Sequence, residues 1–369
     1  MKILIITSSG GGGHLLAAEA KRLEILAAYP EATIVIKDML SEFQAKWIRP
    51  IVIHLWNQQQ RKGRASWLRF LSSLLWMNNG IFFLPVLYRL YRLITKENFD
   101  RIIDTQGSGT FAALLALFLS RRQGKGPRWI DKFVVELPTK DTTYVFASIR
   151  SLIKPLRNLL RLHTIDPLLE GVPSKEAFWH KYTRMPMDQI FHGLPLRPHF
   201  LRPISYDTIE THLHLAKETH ITTIMLGSQP TPLSIMPYIE AWITYYEDKK
   251  GPHALVVLCS QDVCLKEKIT EIKTPPHLSL IPLSQAGDNL VAPLLKYSKT
   301  TITRSGGVTS HELLCVAEGQ ILIHSEAPPH RIMKGMPIWE EGNARYLLKH
   351  KNARLVTPLD SQQGRAIFS

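Results

Sequence analysis

The chain has 369 residues, of which 45% are hydrophobic and 21% charged, a composition typical of a globular protein long enough for two domains. It carries 45 lysine and arginine residues against 31 acidic ones, a formal net charge of +14, and this surplus predicts an anionic partner. Three cysteines without a CxxC pair argue against a disulfide framework or a cysteine-based zinc site. No uncharged apolar stretch approaches the roughly 20 residues that span a bilayer.

The first half of the chain alternates predicted strands and helices. Residues 2–9 (KILIITSS) form an apolar run typical of a buried parallel strand, and apolar residues recur at helical spacing over 14–30. A second strand is predicted at 33–38. The strand-like segments FDRIID and DKFVVEL follow, separated by the helical FAALLALFL. This order is that of βαβ units in a doubly wound parallel sheet.

The second half repeats the alternation. Its apolar strand candidates, with helical segments between them, are residues 221–228, 254–260, 278–283, 300–303 and 320–325. Two α/β series of similar size predict two Rossmann-like domains. We place the first at 1–192, a proline-rich linker at 193–203 and the second at 204–369.

A glycine-rich loop joins the first predicted strand to the first predicted helix. Gly10 to Gly13 are followed at once by His14. Bare backbone amides at a helix N-terminus bind phosphates well, which is one explanation of the loop; a tight strand–helix junction is the other. The pattern is neither GxGxxG nor GxxxxGK[ST], so P-loop ATP hydrolysis is not indicated.

Two further loops have a similar composition. The segment TRSGGVTSHELL (303–314) places a serine–glycine–glycine loop between a strand and a helix, and LGSQP (226–230) follows another strand. Glu312 is expected in the first turn of that helix, where a carboxylate can accept hydrogen bonds from ribose hydroxyls or simply interact with the helix dipole. Ligands of open α/β sheets bind beyond the carboxyl ends of the strands, so these loops are candidates for one binding site.

Five segments in this order resemble glycosyltransferase family 28: SSGGGGHLLAAEA, GLPLRPHF, LGSQP, TRSGGVTSHELL and EEGNARYLL. The similarity is to the branch of monogalactosyldiacylglycerol synthases and processive diacylglycerol glucosyltransferases, and more distantly to the N-acetylglucosaminyltransferase that completes lipid II. The resemblance implies an α/β fold of GT-B architecture, with two Rossmann-like domains facing an interdomain cleft. It also implies a UDP-sugar donor, which is a substrate, and no cofactor.

The resemblance also assigns roles to individual residues. Glu312 matches the acid that binds ribose, and the segment from Glu341 to Asn343 matches the one that contacts the sugar hydroxyls. The donor-binding residues that it implies are Gly12, Gly13, Gly227, Ser228, Gly306, Gly307, Thr309, Glu312, Glu341, Gly342 and Asn343.

Members of the family invert the anomeric centre, so the acceptor hydroxyl needs a base and the departing diphosphate needs positive charge. The sequence contains no DxD motif, which predicts that backbone amides, helix ends and basic side chains supply this charge without a metal. His14 is the first candidate for the base because histidine side chains ordinarily titrate near neutral pH. A supporting contact to phosphate or acceptor is the alternative for His14, and Glu136 is the second candidate for the base.

The positive charge is concentrated in the first half. Residues 43–96 contain nine lysines and arginines, no acidic residue and four of the eight tryptophans, and 147–163 spaces its basic residues as an amphipathic helix would. Such segments are typical of helices at a lipid interface, or of basic helices packed on the domain. Nucleic acid is not predicted, since the apolar residues are bulky and contiguous. The candidate membrane residues are Trp67, Arg89, Arg92, Arg150 and Arg157.

The sequence therefore predicts an inverting enzyme that moves a hexose from a UDP-sugar to a lipid hydroxyl, diacylglycerol being the expected acceptor. We expect it in the cytoplasm, peripheral on the inner face of a membrane with an anionic surface. The alternatives are a UDP-N-acetylglucosamine transferase or a 2-epimerase of the same fold, and a non-catalytic nucleotide-sugar-binding protein.

Overall fold

A computed structural model of the protein describes most of the chain. The described residues are 1–8, 13–39, 42, 54–55, 57–59, 62, 64, 66–67, 70, 83–107, 109–227, 232–284, 286–358, 360 and 367–368. The chain divides into two compact units. The first comprises Met1–Trp56 and Phe70–Pro198, and the second comprises Asn57–Arg69 and His199–Ser369.

The first unit is built on a six-stranded parallel sheet of order β2-β1-β3-β4-β5-β6. Its strands are β1 Lys2–Thr7, β2 Thr33–Asp38, β3 Arg101–Asp104, β4 Ile130–Phe133, β5 Leu160–Thr164 and β6 Ile190–His192. Ile5 of β1 pairs with Ile36 of β2 on one side and with Ile103 of β3 on the other. The apolar run at the start of the chain is therefore a central strand, buried on both faces.

Helices cover both faces of this sheet. They are α1 Gly13–Ala28, α2 Phe83–Glu97, α3 Thr110–Arg121, α4 Thr143–Arg150, α5 Lys154–Arg157 and α6 Lys175–Thr183. Ile3 and Ile5 of β1 pack in one apolar cluster with residues of α1, whereas Leu4 and Ile6 pack in another with residues of α2 to α6. Successive side chains of β1 thus point to opposite faces of the sheet, and helices cover each face, as in a doubly wound fold.

The second unit repeats this plan with the strand order β12-β11-β10-β7-β8-β9, again parallel. Its strands are β7 His220–Met225, β8 His253–Leu258, β9 Leu278–Leu283, β10 Thr300–Thr303, β11 Gln320–His324 and β12 Ala353–Val356. Its helices are α7 Asp207–Leu213, α8 Pro232–Tyr246, α9 Val263–Thr270, α10 Asp288–Tyr297, α11 Gly307–Val316 and α12 Ile338–His350. Two parallel sheets with interleaved helices confirm the predicted α/β class and its two Rossmann-like parts.

The basic segment 147–163 differs from its prediction. It is not one amphipathic helix: α4 ends at Arg150, α5 is a single short turn, and β5 begins at Leu160. Pro155 lies in the first turn of α5, a position that proline tolerates at the start of a helix but not inside one continuous helix that runs on from α4. In β5, Leu160 and Leu162 are buried while the intervening residues are half exposed, a strand period that the helical spacing of the arginines had masked.

None of the helices in the described part of the chain is both long and apolar enough to cross a membrane.

Candidate active site

His14 lies in the first turn of α1, directly after the loop that leaves β1. Its ring nitrogen Nδ1 is 2.7 Å from the carbonyl oxygen of Thr105, which follows β3. A carbonyl oxygen can only accept, so Nδ1 carries the hydrogen and Nε2 carries the lone pair. The hydroxyl of Thr7 donates to the His14 carbonyl at 2.8 Å and fixes the helix start. This tautomer is the one that a base acting through Nε2 requires.

Gly107 lies beside the same ring, on the loop that follows β3. A Cβ atom at this position would be 3.2 Å from His14 Nε2 and 3.4 Å from Cε1, closer than most carbon contacts allow. A larger residue would therefore crowd the edge of the imidazole that carries the lone pair. No motif in the sequence singles out Gly107.

Glu136, the second candidate for the base, is nearly buried in the irregular segment that follows β4. The preceding residue, Val135, contacts the start of α1: a Cβ at Gly13 would lie 3.9 Å from Val135 Cγ1. Strands β1, β3 and β4 are neighbours in the sheet, so their carboxyl ends bring Gly13, His14 and the segment of Glu136 to one edge. Gly12 lies outside the described residues.

In the second unit, the loop after β10 leads into an uncapped helix. Gly306 precedes α11 in an extended conformation, and no described side chain caps the helix or places a negative charge in its first turn. Gly307 and Thr309 belong to that turn. Free backbone N–H groups and the helix dipole make such an end a binding site for anions. The geometry suits a diphosphate at the predicted position.

A second glycine lies at the same edge of this sheet. Gly227 follows β7 with a φ of 86°, a left-handed conformation that favours glycine. Because β7 and β10 are adjacent parallel strands, the loops of Gly227 and Gly306 leave the sheet side by side. Ser228 lies outside the described residues.

Hydrogen bonds join helix α12 to the loop after β10. Arg304 makes two hydrogen bonds to Glu340, at 3.2 and 3.0 Å, and the Ser305 hydroxyl donates to the Glu340 carbonyl at 2.7 Å. The Asn343 amide donates to the Ser305 carbonyl at 2.8 Å from a fully buried position. These contacts fix the path of the backbone immediately before α11.

The predicted sugar contacts occupy different environments. Asn343 and Gly342 are buried, whereas Glu341 is partly exposed and pairs with Arg345 at 3.3 Å. Glu312 is almost completely buried on α11 and lies in the second turn of that helix, not in the first as predicted, because the helix already begins at Gly307. The roles of these residues toward a donor remain predictions.

A buried network that the sequence did not suggest lies at the end of β11. Glu326 accepts a hydrogen bond from the Ser234 hydroxyl at 2.9 Å and lies 2.9 Å from His324 Nε2, while Tyr238 Oη is 2.9 Å from His324 Nδ1. Burial opposes ionisation of Glu326, but His324, Ser234 and the charge of Arg304 outweigh it and lower the pKa of Glu326 to about 2. A carboxylate is thus held ionised near the loops of Gly227 and Gly306.

The candidate membrane residues are not alike. Arg89, Arg92 and Arg150 are exposed, and so is Trp67. Arg157 is half buried, and its guanidinium donates to the Arg184 carbonyl at 3.0 Å and to the Leu152 carbonyl. Arg157 therefore holds the chain around α5.

Acidic, histidine and cysteine side chains form no group of three or more suited to a metal ion within the described residues.

Comparison with known proteins defines the architecture. No protein-family model matches the chain, and no curated protein does. Among solved structures, the chain is similar to Acinetobacter baumannii MurG, with a TM-score of 0.50, 12% identity and coverage of 100% of this chain and 89% of that one. It is also similar to Arabidopsis thaliana UGT89C1 in complex with UDP-L-rhamnose, with a TM-score of 0.52, 12% identity and coverage of 99% and 88%. The complex of that protein with quercetin gives a TM-score of 0.51 at 12% identity and the same coverage.

These neighbours are GT-B enzymes, and the chain shares their architecture of two Rossmann-like domains. At 12% identity the likeness concerns the fold.

Proposed function

We propose that the protein is an inverting glycosyltransferase that moves a hexose from a UDP-sugar to the hydroxyl of a membrane lipid, diacylglycerol being the expected acceptor. The observation that carries the proposal is the geometry of His14, whose Nδ1 is engaged by the Thr105 carbonyl while Nε2 keeps its lone pair. A neutral imidazole held in this way is suited to accept a proton from a hydroxyl. It lies at the carboxyl edge of the sheet, where ligands of α/β folds bind.

The second unit supports the donor part of the proposal. The N-terminus of α11 and the neighbouring loop of Gly227 offer backbone amides to a diphosphate. UGT89C1, which shares the fold, was solved with UDP-L-rhamnose, a donor of the proposed class. We propose that these amides and nearby basic side chains stabilise the departing diphosphate and that no metal cofactor takes part.

The proposed reaction is one displacement. The acceptor oxygen forms a bond to the anomeric carbon while the bond from that carbon to the diphosphate oxygen breaks, and the electron pair leaves with UDP. The acceptor proton passes to His14 Nε2. Attack opposite the leaving group inverts the anomeric centre.

Exposed apolar residues around His14 support a lipid acceptor. Leu15 and Leu16 follow His14 on α1, and Phe111 lies in the first turn of α3, which also begins at the carboxyl edge of the sheet; all three are exposed. On α2, Leu84 is 70% and Tyr88 58% exposed, next to the exposed Arg89 and Arg92. Apolar side chains bordered by arginines suit an anionic bilayer surface.

A product assay tests the proposal. The protein is incubated with UDP-glucose, UDP-galactose or UDP-N-acetylglucosamine and liposomes that contain diacylglycerol and an acidic phospholipid, and the lipid extract is analysed by mass spectrometry. The wild-type protein is expected to form a hexosyl lipid, and the His14→Ala variant is expected to form none. A free epimerised sugar nucleotide without a lipid product would point to the epimerase alternative, and donor binding without turnover to the non-catalytic one.

A further inference from the structure

We propose that the buried ion pair of Asp104 and Lys132 is a positioning device that sets the tautomer of His14. Its catalytic consequence rests on the proposed function, whereas its effect on the His14 ring does not. Neither residue touches the ring. They act through the loop that follows β3.

The pair is fully buried and holds the backbone of Gln106 from both sides. The side chain of Lys132 is 1% and that of Asp104 0% exposed, with Nζ 3.2 Å from Oδ2. Lys132 Nζ also donates to the Gln106 carbonyl at 2.7 Å, and Asp104 Oδ1 accepts from the Gln106 N–H at 3.0 Å. Asp104 Oδ2 accepts from the Thr110 hydroxyl at 2.8 Å, which ties the start of α3 to the same carboxylate.

The residue before Gln106 is the one that holds His14. The Thr105 carbonyl receives the Nδ1–H of His14, and the Thr105 hydroxyl donates to the His14 carbonyl at 3.2 Å. The Thr105 N–H donates to the Ile6 carbonyl at 2.9 Å. The Thr105 carbonyl and the Gln106 N–H belong to the same planar peptide group. Because Asp104 and Lys132 bind the N–H and the carbonyl of Gln106, the Thr105 carbonyl is held in one orientation, directed at the His14 ring.

A hydrophobic pair of similar volume would fill the same space. Taking two charges out of water is unfavourable, and well-packed apolar replacements of buried ion pairs are often neutral or stabilising. What an apolar pair could not supply are the hydrogen bonds to the backbone of Gln106, which hold the loop after β3 in place. Without a fixed acceptor at Nδ1, the hydrogen of a neutral imidazole is free to move to Nε2, where it would remove the lone pair.

The test removes both charges at once, so that neither is left buried alone. The variant carries Asp104→Asn and Lys132→Met, and ¹⁵N NMR of the histidine rings identifies the tautomer of each, with His14→Ala assigning the His14 signals. Wild type is expected to show His14 as the Nδ1–H tautomer. The double variant is expected to show a mixture with the Nε2–H tautomer.

A control comes from the opposite face of the same two strands, since successive side chains of a strand alternate between faces. Arg101 and Asp131 also form an ion pair between β3 and β4, with Nε 2.7 Å from Oδ2, and Asp131 in addition lies 2.9 Å from His163 Nε2 on β5. Arg101→Met with Asp131→Asn removes two charges in the same way and should leave the His14 tautomer unchanged. A folded Asp104/Lys132 variant with the wild-type tautomer would overturn the proposal, as would an equal tautomer shift in the control.

Should the double variant not fold, Thr110→Val provides the milder test. It removes only the hydroxyl that donates to Asp104, and we expect a smaller tautomer shift in the same direction; an unchanged spectrum would overturn the proposal. If the wild-type protein is an active transferase, the kcat of the double variant should be roughly 10- to 100-fold lower than that of wild type, the usual effect of a misplaced catalytic group. Its affinity for UDP should be unchanged. If wild type itself has no transferase activity, the proposed function fails, and the NMR spectra still decide the positioning role.

Discussion

Arg304 and Glu340 join the loop after β10 to α12 through two parallel hydrogen bonds, with side chains only 11% and 7% exposed. Replacing Arg304 by Met would leave the Glu340 carboxylate buried without its cation. Breaking such a pair by removing one partner costs about 3–5 kcal/mol. We expect Arg304→Met to lower the free energy of unfolding by an amount in that range, measured by urea denaturation.

The control for this prediction is the more exposed ion pair of Lys140 and Glu170, whose side chains are 46% and 34% exposed and whose charged atoms are 3.4 Å apart. Exposed pairs contribute about 0–1 kcal/mol, so Lys140→Met should have a small effect. Equal effects of the two substitutions would show that the Arg304 pair does not fasten α12.

Glu312 is predicted to accept hydrogen bonds from the ribose of UDP. Glu312→Gln keeps the size of the side chain and removes its charge, which should weaken UDP binding by about 1–3 kcal/mol. Calorimetry in EDTA measures this and tests metal-free binding at the same time. The control, Glu318→Gln, changes an exposed carboxylate just beyond α11 and should bind UDP as wild type does. Unchanged affinity in Glu312→Gln would remove Glu312 from the ribose role.

The sequence predicted those strands whose apolar run is buried on both faces, such as Ile3 to Ile6 of β1. It missed β6, a three-residue strand at the edge of the sheet with partly exposed side chains, and it missed β5 because basic residues at helical spacing obscured the strand period. Short edge strands carry little hydrophobic signal, since one side lacks a neighbour to pack against.

The site was predictable where its residues are adjacent in the chain, as His14 is to the glycine loop. Lys132 and Arg304 were missed because their partners are 28 and 36 residues away, and Glu326 because Ser234, one of its two partners, is 92 residues away. One signal was present: Lys132 lies inside a predicted strand, next to Asp131, and Asp104 ends another. Charges in such positions are rarely buried without a partner, so the two could have been paired from the strand order.

If His14 is the base, His14→Ala should lower kcat by roughly two to four orders of magnitude. Donor affinity should change little, because the proposed diphosphate contacts belong to the second unit. Single-turnover transfer and UDP calorimetry separate the two effects. A variant that binds UDP weakly but turns over normally at saturation would assign His14 to a phosphate contact instead.

Exposed basic residues of the first unit are predicted to hold the protein on anionic membranes, each contributing about 1 kcal/mol near the surface. Changing Arg89, Arg92 and Arg150 to Glu should abolish flotation with liposomes that contain acidic phospholipid, while UDP binding persists. The control changes three exposed lysines of the second unit, Lys249, Lys268 and Lys273, to Glu, which alters the net charge equally. Wild-type flotation should also weaken as salt rises. Equal flotation of both variants would show that the arginines are not the membrane contact.

The carboxylate of Glu326 should make the protein sensitive to acid. Its pKa in the folded protein is about 2 against an ordinary value of 4.5, so the unfolded chain binds more protons between these pH values. The stabilisation is therefore complete above about pH 5 and is lost as the pH falls toward 2. This stabilisation is on the order of 3 kcal/mol, since each pKa unit corresponds to about 1.4 kcal/mol.

Urea denaturation at steps between about pH 3 and 6 should give a flatter pH dependence of the free energy of unfolding for Glu326→Gln than for wild type. Glu271→Gln, which changes an exposed carboxylate of the same unit, should retain the wild-type slope. A Glu326→Gln protein that loses stability in acid as steeply as wild type would show that other carboxylates cause the loss.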